Sequence, residues 1–270
     1  MQKQIAPDAL ARDPRFHRLS SEDRFLDPRN GTPRSIDPMA EDVDERARRQ
    51  MHGIFVGEIQ ALEGAGRTAF DYQDGEVPFE LKLDMARQCW DEARHCEISV
   101  MLADHMGGDL GEYTEFTTLF EAACHNDPVF RLAGVNRALE GLAIDVFSMM
   151  RDFGKEMSDP VMFFCEDWML ADEVTHVKMG SKWLREVTAK DPDRRDKALE
   201  FQKVVDQLFN FGGARGEGPE AAIQLARRFR EMAGFTTGEV DHIAEMSDAA
   251  RDRGNEEQVE AMTEIRASMA

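Results

Sequence analysis

The chain has 270 residues, 42% of them hydrophobic, and a formal net charge of −20 at neutral pH. That apolar content at this length buries a full core, as one enlarged domain or a domain with an appendix, and excludes disorder throughout. The acidic balance excludes DNA, RNA and anionic membranes as ligands, because phosphate binding needs a basic surface, and it favours small neutral or cationic substrates.

Residues 1–40 are rich in Pro, Arg and Asp without hydrophobic periodicity, and are expected to form an extended arm. A first helix is predicted from Asp37-Pro38 to about Tyr72, with Ile54, Phe55, Ile59, Leu62 and Ala65 on a buried face that takes in Glu58. A second runs from about Pro78 to His105, opened by proline and stopped by Gly107-Gly108. The stretch from Asp109 to Asp127, with a short helix near Tyr113 to Ala123, forms a crossover. A third helix is predicted from Pro128 to Met157 and a fourth from Pro160 to Thr188. Residues 41–190 thus read as an all-α four-helix bundle. In residues 191–270 helical segments alternate with breaks at Gly212-Gly213 and Gly216 to Gly218; this tail is expected either to cover the bundle or to build a homodimer face. No window approaches about 18 uncharged apolar residues and no secretory leader precedes the helices, so a soluble cytoplasmic protein without a membrane partner is expected. Cys89, Cys96, Cys124 and Cys165 lack zinc-ribbon spacing and read as reduced, buried thiols.

The chemistry lies in two copies of Asp-Glu-x-x-His, Asp91-Glu92-Ala93-Arg94-His95 and Asp172-Glu173-Val174-Thr175-His176. Residues three apart on a helix share a face, so each Glu and His can reach one ion. Glu58 precedes Glu92 by 34 residues, and Glu140 precedes Glu173 by 33. The first turn, at Asp74-Gly75, bisects the first interval, and the second, at Ser158-Asp159-Pro160, nearly bisects the other. In each hairpin the two carboxylates therefore face each other at equal height, roughly 25 Å from the turn at ~1.5 Å per residue. Four buried carboxylates without matching lysines are costly unless a cation neutralises them. Glu58, Glu92, Glu140, Glu173, His95 and His176 thus read as a two-metal site. Its oxygen-rich donor set suits iron, with manganese or a Mn/Fe pair as the alternative, whereas zinc prefers fewer carboxylates.

Several neighbours are expected to support that site. Asp91 and Asp172 are placed to orient the imidazole of the opposite motif, and Arg94 and Arg137 to offset part of the charge. Glu63 and Asp145, each five residues after a candidate ligand, fall off the ligand face and read as exposed. His52 reads as a surface histidine. A third Glu-x-x-His, Glu239 to His242, follows Thr236-Thr237-Gly238 and reads as the acidic first turn of a capped helix.

The Glu92-Ala93-Arg94-His95 motif resembles the signature of ferritin-like di-iron carboxylate proteins, among them bacterial multicomponent monooxygenases and ribonucleotide reductase small subunits. The wider pattern is His52-x5-Glu58-x-Gln60-Ala61-x-Glu63, Glu140-Gly141-Leu142-x-x-Asp145 and Asp172-Glu173-Val174-x-His176-Val177-x-x-Gly180-x-x-Trp183. It resembles an uncharacterised ferritin-like family known only as a domain of unknown function, over about residues 50–187. The resemblance implies a ferritin-like four-helix bundle with crossover, and makes the same six residues the metal ligands. Thr175 stands where the first motif has Arg94, which departs from an Arg–Asp pairing in both halves.

The function expected from this set is that of a non-haem di-iron oxidase or oxygenase. It would use O2 and an electron donor to oxidise a small organic molecule. A ferroxidase or manganese-catalase-like activity is the alternative, and a structural metal in a non-enzymatic bundle is a third. Only Tyr72 and Tyr113 are available as tyrosines, and neither lies within two helical turns of a ligand; Trp90 is the nearer redox-active ring.

Overall fold

Three Asp-Pro pairs start helices, because the aspartate caps free N–H groups while proline at the first position forfeits no bond. Asp127 accepts from Val129 N before Pro128, Asp159 from Val161 N and Met162 N before Pro160, and Asp191 from Arg194 N before Pro192. The computed structural model describes residues 43–251 apart from 74, 114–116, 211–214, 218–220 and 222. The expected arm over residues 1–40, Asp74 of the first turn, Gly212-Gly213 and Gly218 lie outside the described residues.

The elements are α1 (Val43–Asp71), α2 (Phe79–His105), α3 (Thr118–Ala123), α4 (Pro128–Ala133), a π-helical segment (Gly134–Leu139), α5 (Glu140–Glu156), α6 (Pro160–Val187), α7 (Pro192–Phe209), β1 (Arg215–Gly216), β2 (Ile223–Gln224), α8 (Arg227–Ala233) and α9 (Thr237–Arg251). Among the described residues the protein is all-α but for a two-residue parallel pairing of β1 with β2. Among the described residues no helix is long and apolar enough to cross a membrane.

The helices α1 and α2 pack along each other as one hairpin, α5 and α6 as another, and α2 joins the two by packing on α6. Bonds at both ends of that seam show that the helices run antiparallel. His105 Nε2 lies 2.7 Å from Asp159 Oδ2 at one end, and Trp183 Nε1 donates to Asp84 Oδ2 at 2.7 Å at the other. One apolar cluster, including Met51, Leu102, Phe147 and Met162, fills the His105 end. Another, including Leu81, Met85, Leu132 and Trp183, fills the Trp183 end. Between them lies a layer of charge.

The predicted third helix is not one regular helix. Its middle, Gly134–Leu139, winds as a π-helix directly before Glu140, the kind of local widening that recurs at functional sites. Glycines let this segment pack closely. A Cβ at Gly134 would stand 2.3 Å from Ala123 O, and one at Gly180 would stand 2.5 Å from Asn136 Cβ.

The tail packs onto the bundle. Helix α7 lies against α4 and the π segment, α8 against α6, and β2 against α5. Asp145, expected to be exposed, is buried and clamps this tail. It accepts from Arg230 Nη2 at 2.6 Å and from Ala226 N at 2.9 Å, while Arg215 Nη1 lies 3.7 Å away. Its partners come from 70 or more residues later in the chain, beyond the reach of a local pattern. His52, expected at the surface, is buried, with Nε2 accepting from Gly111 N of the crossover at 3.1 Å. Glu63 is exposed as expected. The third Glu-x-x-His is the predicted cap: Thr236 N donates to Glu239 Oε2 at 2.8 Å and Glu239 N to Thr236 Oγ1 at 3.2 Å, a capping box. The cysteines are free thiols, but only Cys124 is buried; Cys89, Cys96 and Cys165 are partly exposed.

Asp145→Ala would leave the buried Arg230 without its bonded carboxylate and remove one of the two carboxylates beside Arg215, which keeps Asp206. A loss of about 3–5 kcal/mol is expected, read as a lower thermal midpoint with early proteolytic cleavage of the tail. An unchanged midpoint would contradict the clamp.

Candidate metal centre

Four helices each bring a carboxylate to the charged layer: Glu58 from α1, Glu92 from α2, Glu140 from the first position of α5, and Glu173 from α6. His95 and His176 follow one turn after Glu92 and Glu173. All six are at most 5% exposed. They form two groups that could each hold a metal ion, Glu58–Glu92–His95–Glu173 and Glu92–Glu140–Glu173–His176, with ligand atoms within 4.8 Å of one another. Glu92 and Glu173 belong to both groups, so the two sites adjoin and share two carboxylates. Every ligand expected from the sequence is brought together.

The imidazoles face inward through Nδ1. His95 Nδ1 lies 3.0 Å from Glu58 Oε2, 3.2 Å from Glu92 Oε2 and 3.1 Å from Glu173 Oε1. His176 Nδ1 lies 3.1 Å from Glu92 Oε1 and 3.4 Å from Glu173 Oε2. Their outer nitrogens reach the aspartate of the opposite motif: His95 Nε2 lies 3.4 Å from Asp172 Oδ2, and His176 Nε2 lies 3.2 Å from Asp91 Oδ2. Asp91 and Asp172 thus fix ring orientation across the α2–α6 seam. The missing second arginine is explained at the same place. Arg94 bonds Asp91 and also Asp172, the latter at 3.2 Å, so one guanidinium serves both halves. Thr175 Oγ1 bonds Ala171 O within its own helix instead. Arg137 departs from expectation: its bonds go to Ser181 on α6 and to Gln202 and Glu239 in the tail, not to a ligand carboxylate.

Two amides complete the site. Gln88 Nε2 donates to Glu140 Oε1 at 2.5 Å and to Glu92 Oε1 at 3.2 Å, while Asn136 Nδ2 donates to Gln88 Oε1 at 2.5 Å. Gln88 stands four residues before Glu92 and Asn136 four before Glu140, both on ligand faces. That spacing was the available signal, but uncharged amides do not draw attention to themselves. Asn136 comes from the π segment, so the irregular winding has a chemical use: it brings an amide chain onto a ligand.

Burial raises Glu58 well above the ordinary carboxylate range despite its bond to His95, and the charges of Glu92 and Glu173 add to the rise. Burial and the same two neighbours raise Glu140. At Glu92 burial acts upward, but the charge of His176 and bonds from both histidines outweigh it and hold the group low. Burial opposes charging of His95 and His176, yet carboxylates surrounding each ring raise them above the ordinary imidazole range. Protons therefore balance part of the charge that cations would otherwise balance. Glu173 Oε1 is buried, and among the described residues it makes no well-aligned hydrogen bond although His95 Nδ1 lies 3.1 Å away; the four carboxylates match the charge of two divalent cations. Donor set and electrostatics both fit such a pair.

The model of a family described as "Protein of unknown function (DUF455)" matches residues 15–241, and the chain belongs to that family. No match to the chain is found among curated proteins or among solved structures.

Loading with Mn(II) must displace the protons on His95, His176, Glu58 and Glu140, so proton release and an affinity that falls as pH falls are expected. Calorimetry in buffers of different ionisation enthalpy between pH 6 and 8 checks this. Binding without proton release would contradict this charge balance.

Proposed function

We propose that this member of DUF455 is a ferritin-like dinuclear non-haem metal oxidoreductase, an oxidase or oxygenase that uses O2 on a small organic molecule. The observation that carries the reading is the sharing of Glu92 and Glu173 between two buried ligand groups. A structural metal needs one closed site; two adjoining sites enclosed by helices are what two-metal chemistry requires. The helix order, with a lone Glu and then a Glu-x-x-His in each hairpin and a crossover between, supports the ferritin-like assignment. Iron is the metal we favour, as a pair or with manganese.

Glu58, Glu92, His95, Glu140, Glu173 and His176 would hold the two ions, and ferrous iron there would supply electrons for the reduction of O2. The chain's own residues do the rest. Asp91 and Asp172 hold the imidazoles in register, and Gln88 holds a Glu140 oxygen. Ile144 and Phe147, both buried, wall the cluster on the His105 side, with Phe147 edge-on to His95 at 6.0 Å, and exclude water there. Sustained turnover needs an external electron donor, and Trp90, exposed on α2 two residues before Glu92, presents an oxidisable ring at the surface. The charge of −20 argues for a small substrate over a nucleic acid.

Anaerobic loading with Fe(II) and Mn(II) together, then O2, tests the reading: about two iron ions per chain and a transient visible absorption are expected. Retained manganese, or iron oxidised without a transient, would point to catalase or ferroxidase chemistry instead. Glu92→Ala and His176→Ala should each lose most of the metal while keeping helical circular dichroism. Unchanged metal content in both would overturn the site.

A further inference from the structure

Two turns from the metal cluster along α6 lies a carboxyl group that the chemistry above does not use. Glu166 is fully buried, and neither of its oxygens has a hydrogen-bond partner among the described residues. It precedes Glu173 by seven residues, which places it on the same face of α6 and about 10 Å along the axis. Ser99, four residues after His95 on α2, is equally buried, and its Oγ also lacks a partner among the described residues. The Asp91–His176, His95–Asp172 and His105–Asp159 contacts set the antiparallel register of α2 and α6. In that register Ser99 stands opposite Glu166, one turn beyond His95. The apolar cluster that fills this end of the bundle is rich in methionine: Met51, Met150, Met162 and Met169, with Ile54 and Phe147.

Buried polar groups left unbonded are rare and call for an occupant. A third metal ion is a poor one, because Glu166 belongs to neither group of candidate ligands and Ser99 adds only a hydroxyl. Water could bond Ser99 and a protonated Glu166, but would leave that carboxyl un-ionised in its buried setting. Burial itself holds the Glu166 carboxyl well above the ordinary range, with only the charge of His95 acting the other way. A ligand cation does what water does not: an ammonium group donates to the carboxylate and to Ser99 Oγ while compensating its charge. Its hydrocarbon part would lie among unbranched methionines, which repack readily around a guest.

We propose that Glu166 and Ser99 form the head-group subsite for a small primary amine whose apolar remainder extends toward the metal cluster. The oxidation of that amine rests on the dinuclear reading above, whereas its binding does not. With the nitrogen held two turns from the ligands, the carbon presented to the metals lies several bonds away from it.

Isothermal titration of the full-length, Mn(II)-loaded protein with n-butylamine, n-hexylamine and n-octylamine, beside n-hexanol, tests the subsite. At least one amine is expected to bind with one molecule per chain. Glu166→Gln should weaken it about tenfold or more, Ser99→Ala less, and n-hexanol should bind more weakly than n-hexylamine and show no dependence on Glu166. Metal content measured on the same samples separates the two ideas. Absent metal contradicts the dinuclear reading; full metal with no amine binding, or with equal binding by wild type and Glu166→Gln, overturns the subsite. Should Glu166→Gln fail to fold, Ser99→Ala decides, and an unchanged amine affinity would overturn it.

Discussion

The enclosure of four carboxylates in one layer between two apolar clusters is the constraint on which the rest of the structure depends. Transfer of an uncompensated ion into such surroundings costs several kcal/mol even after relaxation. Glu58, Glu92, Glu140 and Glu173 must therefore share protons, imidazoles or cations. The apolar clusters around Phe147 on one side and Trp183 on the other keep water from doing the same work. The charged layer weakens the fold unless it is neutralised, which makes function rather than stability the reason to keep it.

The surrounding devices serve to hold that layer in one geometry. Each histidine is bonded through its outer nitrogen to the aspartate of the other motif, so the two hairpins fix each other's ligands. Arg94 ties both aspartates together and stacks over Trp168 at 5.1 Å, which closes the outer side of the seam. On the opposite side the π segment brings Asn136 to Gln88 and Gln88 to Glu140, and Gly180 supplies the close approach that this arrangement needs. The tail adds a separate lock, since Arg230 and Arg215 reach Asp145 on the helix that begins with Glu140.

Much of this was legible in the sequence because helical spacing is local. The three-residue interval in Glu92–His95 and Glu173–His176 fixes a shared face, and turns midway between paired glutamates fix their height. Asp127-Pro128 and Asp159-Pro160 mark helix starts within a residue or two. What escaped had other causes. The π segment from Gly134 to Leu139 answers to packing against Ala123 and Gly180, contacts that no local pattern records. Asp145 looked exposed because its partners arrive from the tail, and His52 because its donor, Gly111 N, lies in the crossover. Arg137 carries the right charge at the right height but points to Glu239. Gln88, Asn136, Ser99 and Glu166 all lie four or seven residues from a ligand, so the helical face was readable, while the role of an amide, a hydroxyl or an isolated acid was not.

The most direct test of the central claim is anomalous diffraction from crystals of the full-length protein loaded anaerobically with Fe(II), recorded on both sides of the iron absorption edge. Two neighbouring iron peaks are expected inside the bundle, one beside Glu58 and His95 and the other beside Glu140 and His176, with Glu92 and Glu173 reaching both. A single peak, or iron only at the protein surface, would contradict the account.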